Sequence, residues 1–84
     1  VKHFASPEFW VCLEKLPANT QELARGNYDL LKANPYHPSL HFKRIGRFWS
    51  VRVGRSYRAL AVDAEGGIVW FWIGTHGEYD RLVG

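Results

Sequence analysis

Two arginines, Arg52 and Arg58, bracket the short string Gly54-Arg55-Ser56, and a histidine, His76, follows downstream in Gly74-Thr75-His76. A guanidinium offers a rigid fork of N–H donors that matches a phosphate, and an imidazole carries a proton near neutral pH. Together they make a clamp and a proton carrier, the parts needed to move a phosphoryl group. Lys43, Arg44, Arg47 and Arg55 surround this set, and Tyr79 stands three residues past His76. With Lys32, Arg52 and Arg58 they form a block of seven basic residues between Leu30 and Val62, a stretch with no Asp or Glu. A one-sign block inside a folding domain is the footprint of a polyanionic partner, nucleic acid above all; a solvated basic face is the plainer reading. His3, His37 and His41 carry less signal. His37 sits in Tyr36-His37-Pro38-Ser39 and reads as part of a turn, and His41 reads as a solvent-facing strand residue.

The elements that must position these side chains follow from periodicity. Trp49, Val51 and Val53 alternate with Ser50 and Arg52, so this segment is a strand with one apolar and one polar face. If Gly54, Arg55 and Ser56 form a three-residue loop, Val53 opposes Tyr57, Val51 opposes Ala59 and Arg52 opposes Arg58. A two-residue loop instead sets Arg58 among the valines, where an unpaired guanidinium is costly. The longer loop is therefore expected, and it carries a corollary. Like charges directly across a ladder repel, so an anion is expected between them; stacking of each arginine on a nearby aromatic is the alternative.

Turn residues at Gly46, Gly54-Arg55-Ser56 and Glu65-Gly66-Gly67 divide the second half into strands expected near 40–45, 48–53, 57–63 and 68–73. Val1–Phe4 alternates and reads as a short first strand. Ser6-Pro7-Glu8 reads as a helix start, Phe9, Cys12, Leu13 and Leu16 form one apolar stripe, and Pro17 stops the helix. A second helix is expected from a cap at Asn19, with Glu22 reaching back, to Asn34-Pro35; Leu23, Leu30 and Leu31 mark its inner face, and Gly26 permits a close helix approach. The fold class is α+β: an N-terminal helical hairpin packed on one face of a twisted, mainly antiparallel sheet of four to five strands, with the other face open. On the last strand Trp70 and Trp72 are expected on one side and Val69, Phe71 and Ile73 on the other. The tryptophans then serve core packing or a protein interface, with base stacking as the alternative.

A length of 84 residues, 46% of them hydrophobic, supports one modest core, hence a single domain over residues 1–84. The one cysteine, Cys12, makes no internal disulfide and belongs to no zinc-type cluster, so no metal site is expected. Gly66-Gly67 lacks the spacing of a nucleotide-binding loop, so no small-molecule cofactor is expected. The apolar run Gly67–Gly74 is far short of the roughly 20 residues that span a bilayer, and no leader opens the chain; a soluble, cytoplasmic protein without a membrane partner is the expectation. The absence of Met, with Val1 first, fits a natural start upstream.

Several strings, in their order, carry a resemblance: Asn34-Pro35-Tyr36-His37-Pro38-Ser39-Leu40, Phe42-Lys43, Trp49-Ser50-Val51-Arg52-Val53-Gly54, Tyr57-Arg58-Ala59-Leu60 and Ile73-Gly74-Thr75-His76. The chain resembles the RelE/ParE toxin superfamily, in its RelE-like or HigB-like branch, over nearly its whole length. The resemblance implies the toxin of a type II toxin–antitoxin system, a ribosome-dependent endoribonuclease that cuts messenger RNA without a metal. Its implied partners are a cognate antitoxin, the ribosome and mRNA. By the same resemblance Arg52 and Arg58 match the sheet arginines at the scissile phosphate, Lys43 a basic position on the preceding strand, and His76 the C-terminal acid/base histidine. The basic block departs from members that use a sheet glutamate as base; Lys43, His41 or the ribosome is left to supply that role. Two other functions fit the same layout: a ParE-like inhibitor of DNA gyrase without nuclease activity, and a non-catalytic RNA-binding domain.

Overall fold

The computed structural model describes residues 2–84. The elements run β1 (Lys2–Ala5), α1 (Pro7–Glu14), α2 (Ala18–Ala33), a 3-10 turn (Pro38–Leu40), β2 (Lys43–Ile45), β3 (Phe48–Val53), β4 (Tyr57–Ala64), β5 (Gly67–Thr75) and α3 (His76–Val83). The strands form one five-stranded sheet in the order β1-β5-β4-β3-β2. β2 to β5 are an antiparallel meander, and β1 adds in parallel beside β5. The expected class and hairpin are both present, with the Val1 end of the first strand lying outside the described residues.

α1 packs over β5 and α2 over β3, both on one face of the sheet. Between them and the sheet lies the core: Leu13, Ala24, Leu31, Leu40, Val51, Val53, Ala59, Ala61, Ile68, Trp70 and Ile73. Of the predicted α1 stripe, Leu13 is buried, and Phe9, Cys12 and Leu16 pack against the cluster half-buried. Proline at the first position of α1 loses no hydrogen bond, because that N–H has no intrahelical partner.

The meander registers as the alternation demands. Arg52 pairs with Arg58, Val53 with Tyr57 and Val51 with Ala59, so the three-residue loop is the one formed. Gly54 makes it possible by adopting φ +63, a left-handed conformation that costs other residues about 1–2 kcal/mol.

Five expectations are corrected. α2 begins at Ala18 behind Pro17, and Asn19 accepts only from the adjacent Thr20 N–H, so Asn19 and Glu22 form no capping box. Of the expected inner face of α2, Leu31 is buried and Leu30 packs half-buried against the core, joined by Thr20 and Ala24, but Leu23 is 44% exposed; a Cβ at Gly26 would meet nothing within 4 Å among the described residues. The first strand of the meander starts at Lys43, because Pro38–Leu40 makes a 3-10 turn and His41 follows at φ +46; His41 is thus no strand residue. Trp70 and Trp72 face opposite sides. A β-bulge at Leu60/Ala61 sets Trp72 opposite Leu60 and Trp70 opposite Ala61, shifting the alternation by one and putting Trp70, 2% exposed, into the core with Ile73. The other face of the sheet is not fully open, because the C-terminal segment folds over it as α3.

Candidate functional site

α3 is the element that completes the site, and its start is built from sequence. Thr75 is the N-cap: its hydroxyl accepts from the Glu78 N–H at 3.2 Å, and the Glu78 carboxylate accepts from the Thr75 N–H at 2.9 Å. This reciprocal capping box satisfies two donors that a helix start otherwise leaves unpaired. Those bonds hold the Glu78 carboxyl below its ordinary titration range, the Thr75 backbone N–H being the main cause. Gly74, just before the cap, lets the helix descend. A Cβ there meets the Trp72 ring and the Glu78 carboxylate. The helix then packs on β4 and β5, burying Tyr79 to 6% exposure over Ser50, whose hydroxyl donates to the Tyr79 hydroxyl at 3.1 Å.

Between this helix and the sheet lies a polar cleft of about 110 Å³ lined by His41, Lys43, Ser50, Arg52, Arg58, His76 and Tyr79. The sheet supplies its cations. Lys43 on β2 pairs with Ser50 on β3, and two residues along β3 Arg52 pairs with Arg58 on β4, so one face of three adjacent strands presents three positive side chains. Among the described residues no carboxylate is part of the cleft lining; Asp80 lies beside the His76 ring at the rim. Arg58 donates through one guanidinium nitrogen to the carbonyl of Tyr57 at 2.8 Å, while the Nε of Arg52 is buried without a hydrogen-bond partner among the described residues. An anion between the two guanidiniums would relieve the cross-strand repulsion and offer acceptors to their unpaired N–H groups.

His76 is the first residue of α3 rather than a loop residue. Its backbone N–H donates to the Ser56 carbonyl at 2.8 Å, and its Nε2 lies 3.4 Å from an Asp80 carboxylate oxygen one turn on. The ring is half-exposed at the cleft, with its centroid 6.1 Å from that of Tyr79.

The structure thus brings together Lys43, Arg52, Arg58, His76 and Tyr79. It does not bring Arg44, Arg47 and Arg55 to them. Arg44 pairs with Trp49 in the ladder and so faces the helix side, where it lies over the Trp49 ring and bridges Asp63 at 2.6 Å. That pair, with the Trp49 indole N–H donating at 2.9 Å, lowers the Asp63 carboxyl's titration, the indole bond first and Arg44 second. Arg47 occupies the β2–β3 turn over the Phe48 ring, and Arg55 the β3–β4 turn in solvent. Their charge adds to the surroundings without lining the cleft. Ser50 is a cleft residue that sequence reasoning passed over, and His41, left open there as a possible base, lines the cleft too. A capping signature, Thr75-x-x-Glu78, was the available signal for α3 and through it for Ser50, which Tyr79 covers. His37 is structural, its Nδ1 accepting from the Ser39 N–H at 3.2 Å. Among the described residues no cluster of three or more His, Cys, Asp or Glu has the arrangement to hold a metal ion, and no helix is long and apolar enough to cross a membrane.

Comparison with known proteins agrees with this layout. The family model described as the ParE-like toxin domain matches residues 18–81. In fold the chain is similar to a structure of the RelB–RelE antitoxin–toxin complex from Methanococcus jannaschii, with a TM-score of 0.71 over 96% of this chain and 99% of that one, at 14% sequence identity. No curated protein matches the sequence.

Proposed function

Since this chain belongs to the ParE-like toxin domain family, we propose that it is the endoribonuclease toxin of a toxin–antitoxin pair, cutting messenger RNA at the cleft between α3 and the sheet. One observation carries the reading: Arg52 and Arg58 oppose each other across the ladder, with Lys43 beside them and His76 at the rim, in a cleft whose lining holds no carboxylate among the described residues. A surface built only to adhere has no need to force two guanidiniums together or to add an imidazole.

In the reaction the ribose 2′-oxygen attacks the adjacent phosphorus; the O2′–P bond forms, the P–O5′ bond breaks, and a cyclic phosphate and a free 5′-hydroxyl result. Arg52, Arg58 and Lys43 hold the non-bridging oxygens as negative charge grows on them. His76 gives its proton to the departing 5′-oxygen. His41 lines the same cleft and is the candidate to take the proton of the 2′-hydroxyl; Lys43 could do so only as the neutral amine, giving up its hold on the phosphate. The step as written uses no metal and no cofactor. Tyr79 and Ser50 hold α3 against the strand that bears Arg52.

The similarity to a RelE solved with RelB supports a protein antitoxin as partner, opposite in charge to the basic face. Partly buried Trp72 remains available to such a contact, whereas Trp70 is core. The ParE-like name of the matching family favours a second reading, inhibition of DNA gyrase. Purified protein incubated with programmed ribosomes separates them: new 5′-hydroxyl ends in the bound messenger are expected. Intact messenger together with arrested gyrase supercoiling transfers the function to the second reading.

A further inference from the structure

The phosphate cleft does not end at His41. That residue also lines a neighbouring hollow with Tyr36, His37, Pro38 and Phe42, and Tyr36 and Phe42 in turn line a third that reaches Lys32 and Trp49. His41 is common to the first two hollows and Tyr36 and Phe42 to the second and third, which opens on the helix-covered side, so Tyr36 stands past the 3-10 turn near the β2 edge of the sheet.

Tyr36 is the unusual member. It is 88% exposed, yet it stands on a rigid segment rather than a loose one. Prolines at 35 and 38 fix the backbone on both sides. The His37 N–H donates to the Asn34 carbonyl and the Leu40 N–H to the His37 carbonyl, both at 3.1 Å, and Leu40 is completely buried as the anchor. Phe42 below is braced by stacking on Trp49, with centroids 4.9 Å apart. Among the described residues the Tyr36 ring makes no aromatic stack and its hydroxyl no hydrogen bond, and the side chain is left almost wholly to solvent. An aromatic face held out beside a cationic groove, within a stretch free of acidic residues from 31 to 62, matches how single-stranded nucleic acid is gripped: backbone on charge, base on ring.

We infer that Tyr36 is a stacking platform for an unpaired RNA base that flanks the phosphate held by Arg52 and Arg58. The inference rests on the RNA reading above but concerns binding, so it is tested without cleavage. The probe is a 2′-deoxy-substituted single-stranded oligonucleotide of about twelve nucleotides, carrying 2-aminopurine at successive positions and titrated with wild type, Tyr36→Ala and Tyr36→Phe. Stacking is worth about 1–3 kcal/mol per base, so Tyr36→Ala is expected to weaken binding about 5- to 160-fold and to lose the 2-aminopurine quenching at one position, both restored by Tyr36→Phe. An oligonucleotide abasic at that position keeps its phosphates and should bind wild type and Tyr36→Ala alike. Thermal melting should be unchanged, since the side chain is left almost wholly to solvent. Equal oligonucleotide binding by wild type and Tyr36→Ala overturns the inference, as does a loss that persists on the abasic strand or a defect confined to binding of a protein partner. A protein that cuts no messenger but shows the quenching fails the proposed nuclease function while keeping this site.

Discussion

The backbone N–H of His76 donates to the carbonyl of Ser56 at 2.8 Å, so the histidine of the cleft is tied directly to the turn that sets the Arg52–Arg58 register. One short loop therefore fixes both halves of the site. Its weak point is Gly54 at φ +63, where an added Cβ also comes within 2.8 Å of the Leu23 side chain. Gly54→Ala is expected to cost about 1–2 kcal/mol of stability from the left-handed backbone alone. Leu23 is partly exposed and yields at its flexible end, so Leu23→Ala should return little of the loss. Denaturant melts of the single and double variants measure this; full rescue by Leu23→Ala would show that crowding, not φ, dominates.

The proposed Arg52–Arg58 clamp comes at a cost to the free protein. Opposed like charges destabilise a ladder, by amounts within the roughly 0.2–1 kcal/mol typical of cross-strand pairs. Arg52→Gln and Arg58→Gln should each melt at or slightly above the wild-type temperature while losing growth arrest on induction. Inorganic phosphate should raise the melting temperature of wild type more than that of either variant. A folded double variant that remains toxic removes the phosphate clamp from the mechanism.

The meander and the arginine register were legible in the sequence because two-residue alternation and turn residues are local signals, and because burying Arg58 among valines left one workable loop length. The side of Trp70 was not legible. One bulged residue inverts the rest of a strand, and β5 is apolar at every position around the bulge, so no polar residue marks the switch. α3 was hidden for a different reason. At eight residues it is too short to show periodicity, and only its cap announces it. Missing α3 also left the cleft's second wall unseen, and Arg44 was grouped with Lys43 although adjacent strand residues face opposite sides.

The capping box makes α3, and with it the site, sensitive to acid. Glu78 titrates below its unfolded value because the folded state donates hydrogen bonds to its carboxylate. A depressed folded value means that the bond contributes fully above the unfolded value near 4.5 and is lost as pH falls through the lower, folded one. Protection of the α3 amides, measured relative to their intrinsic exchange rate at each pH, should therefore fall below about pH 4.5 before the sheet opens, and Glu78→Gln should flatten that dependence. Thr75→Ala removes the other half of the box and is expected to cost about 0.5–2 kcal/mol at neutral pH. Exchange in α3 that tracks global unfolding at every pH would contradict a separately loosening helix.

His76 bears the most specific expectation. It opens α3 at the cleft, held by the Ser56 carbonyl through its backbone, so its side chain can change without moving the helix start, and its Nε2 lies 3.4 Å from an Asp80 carboxylate oxygen. Replacement by Gln keeps polarity and approximate size but removes proton transfer, a contribution of about a hundred- to ten-thousandfold in rate. Arg52, Arg58 and Lys43 remain in place, so RNA affinity should hold within about threefold, the loss falling on the chemical step alone. Asp80→Asn leaves the imidazole present and removes only its carboxylate neighbour, so a smaller loss is expected there. Single-turnover cleavage of messenger on a programmed ribosome reads the rate, and binding to the same complex with a 2′-deoxy substitution at the cut site reads affinity separately. A substrate whose 5′-oxygen is replaced by sulfur needs no proton on departure, so it should be cut nearly as fast by His76→Gln as by wild type. If that substitution rescues nothing while binding is intact, His76 is not the acid, and Tyr79, within the same cleft, is the next group to replace.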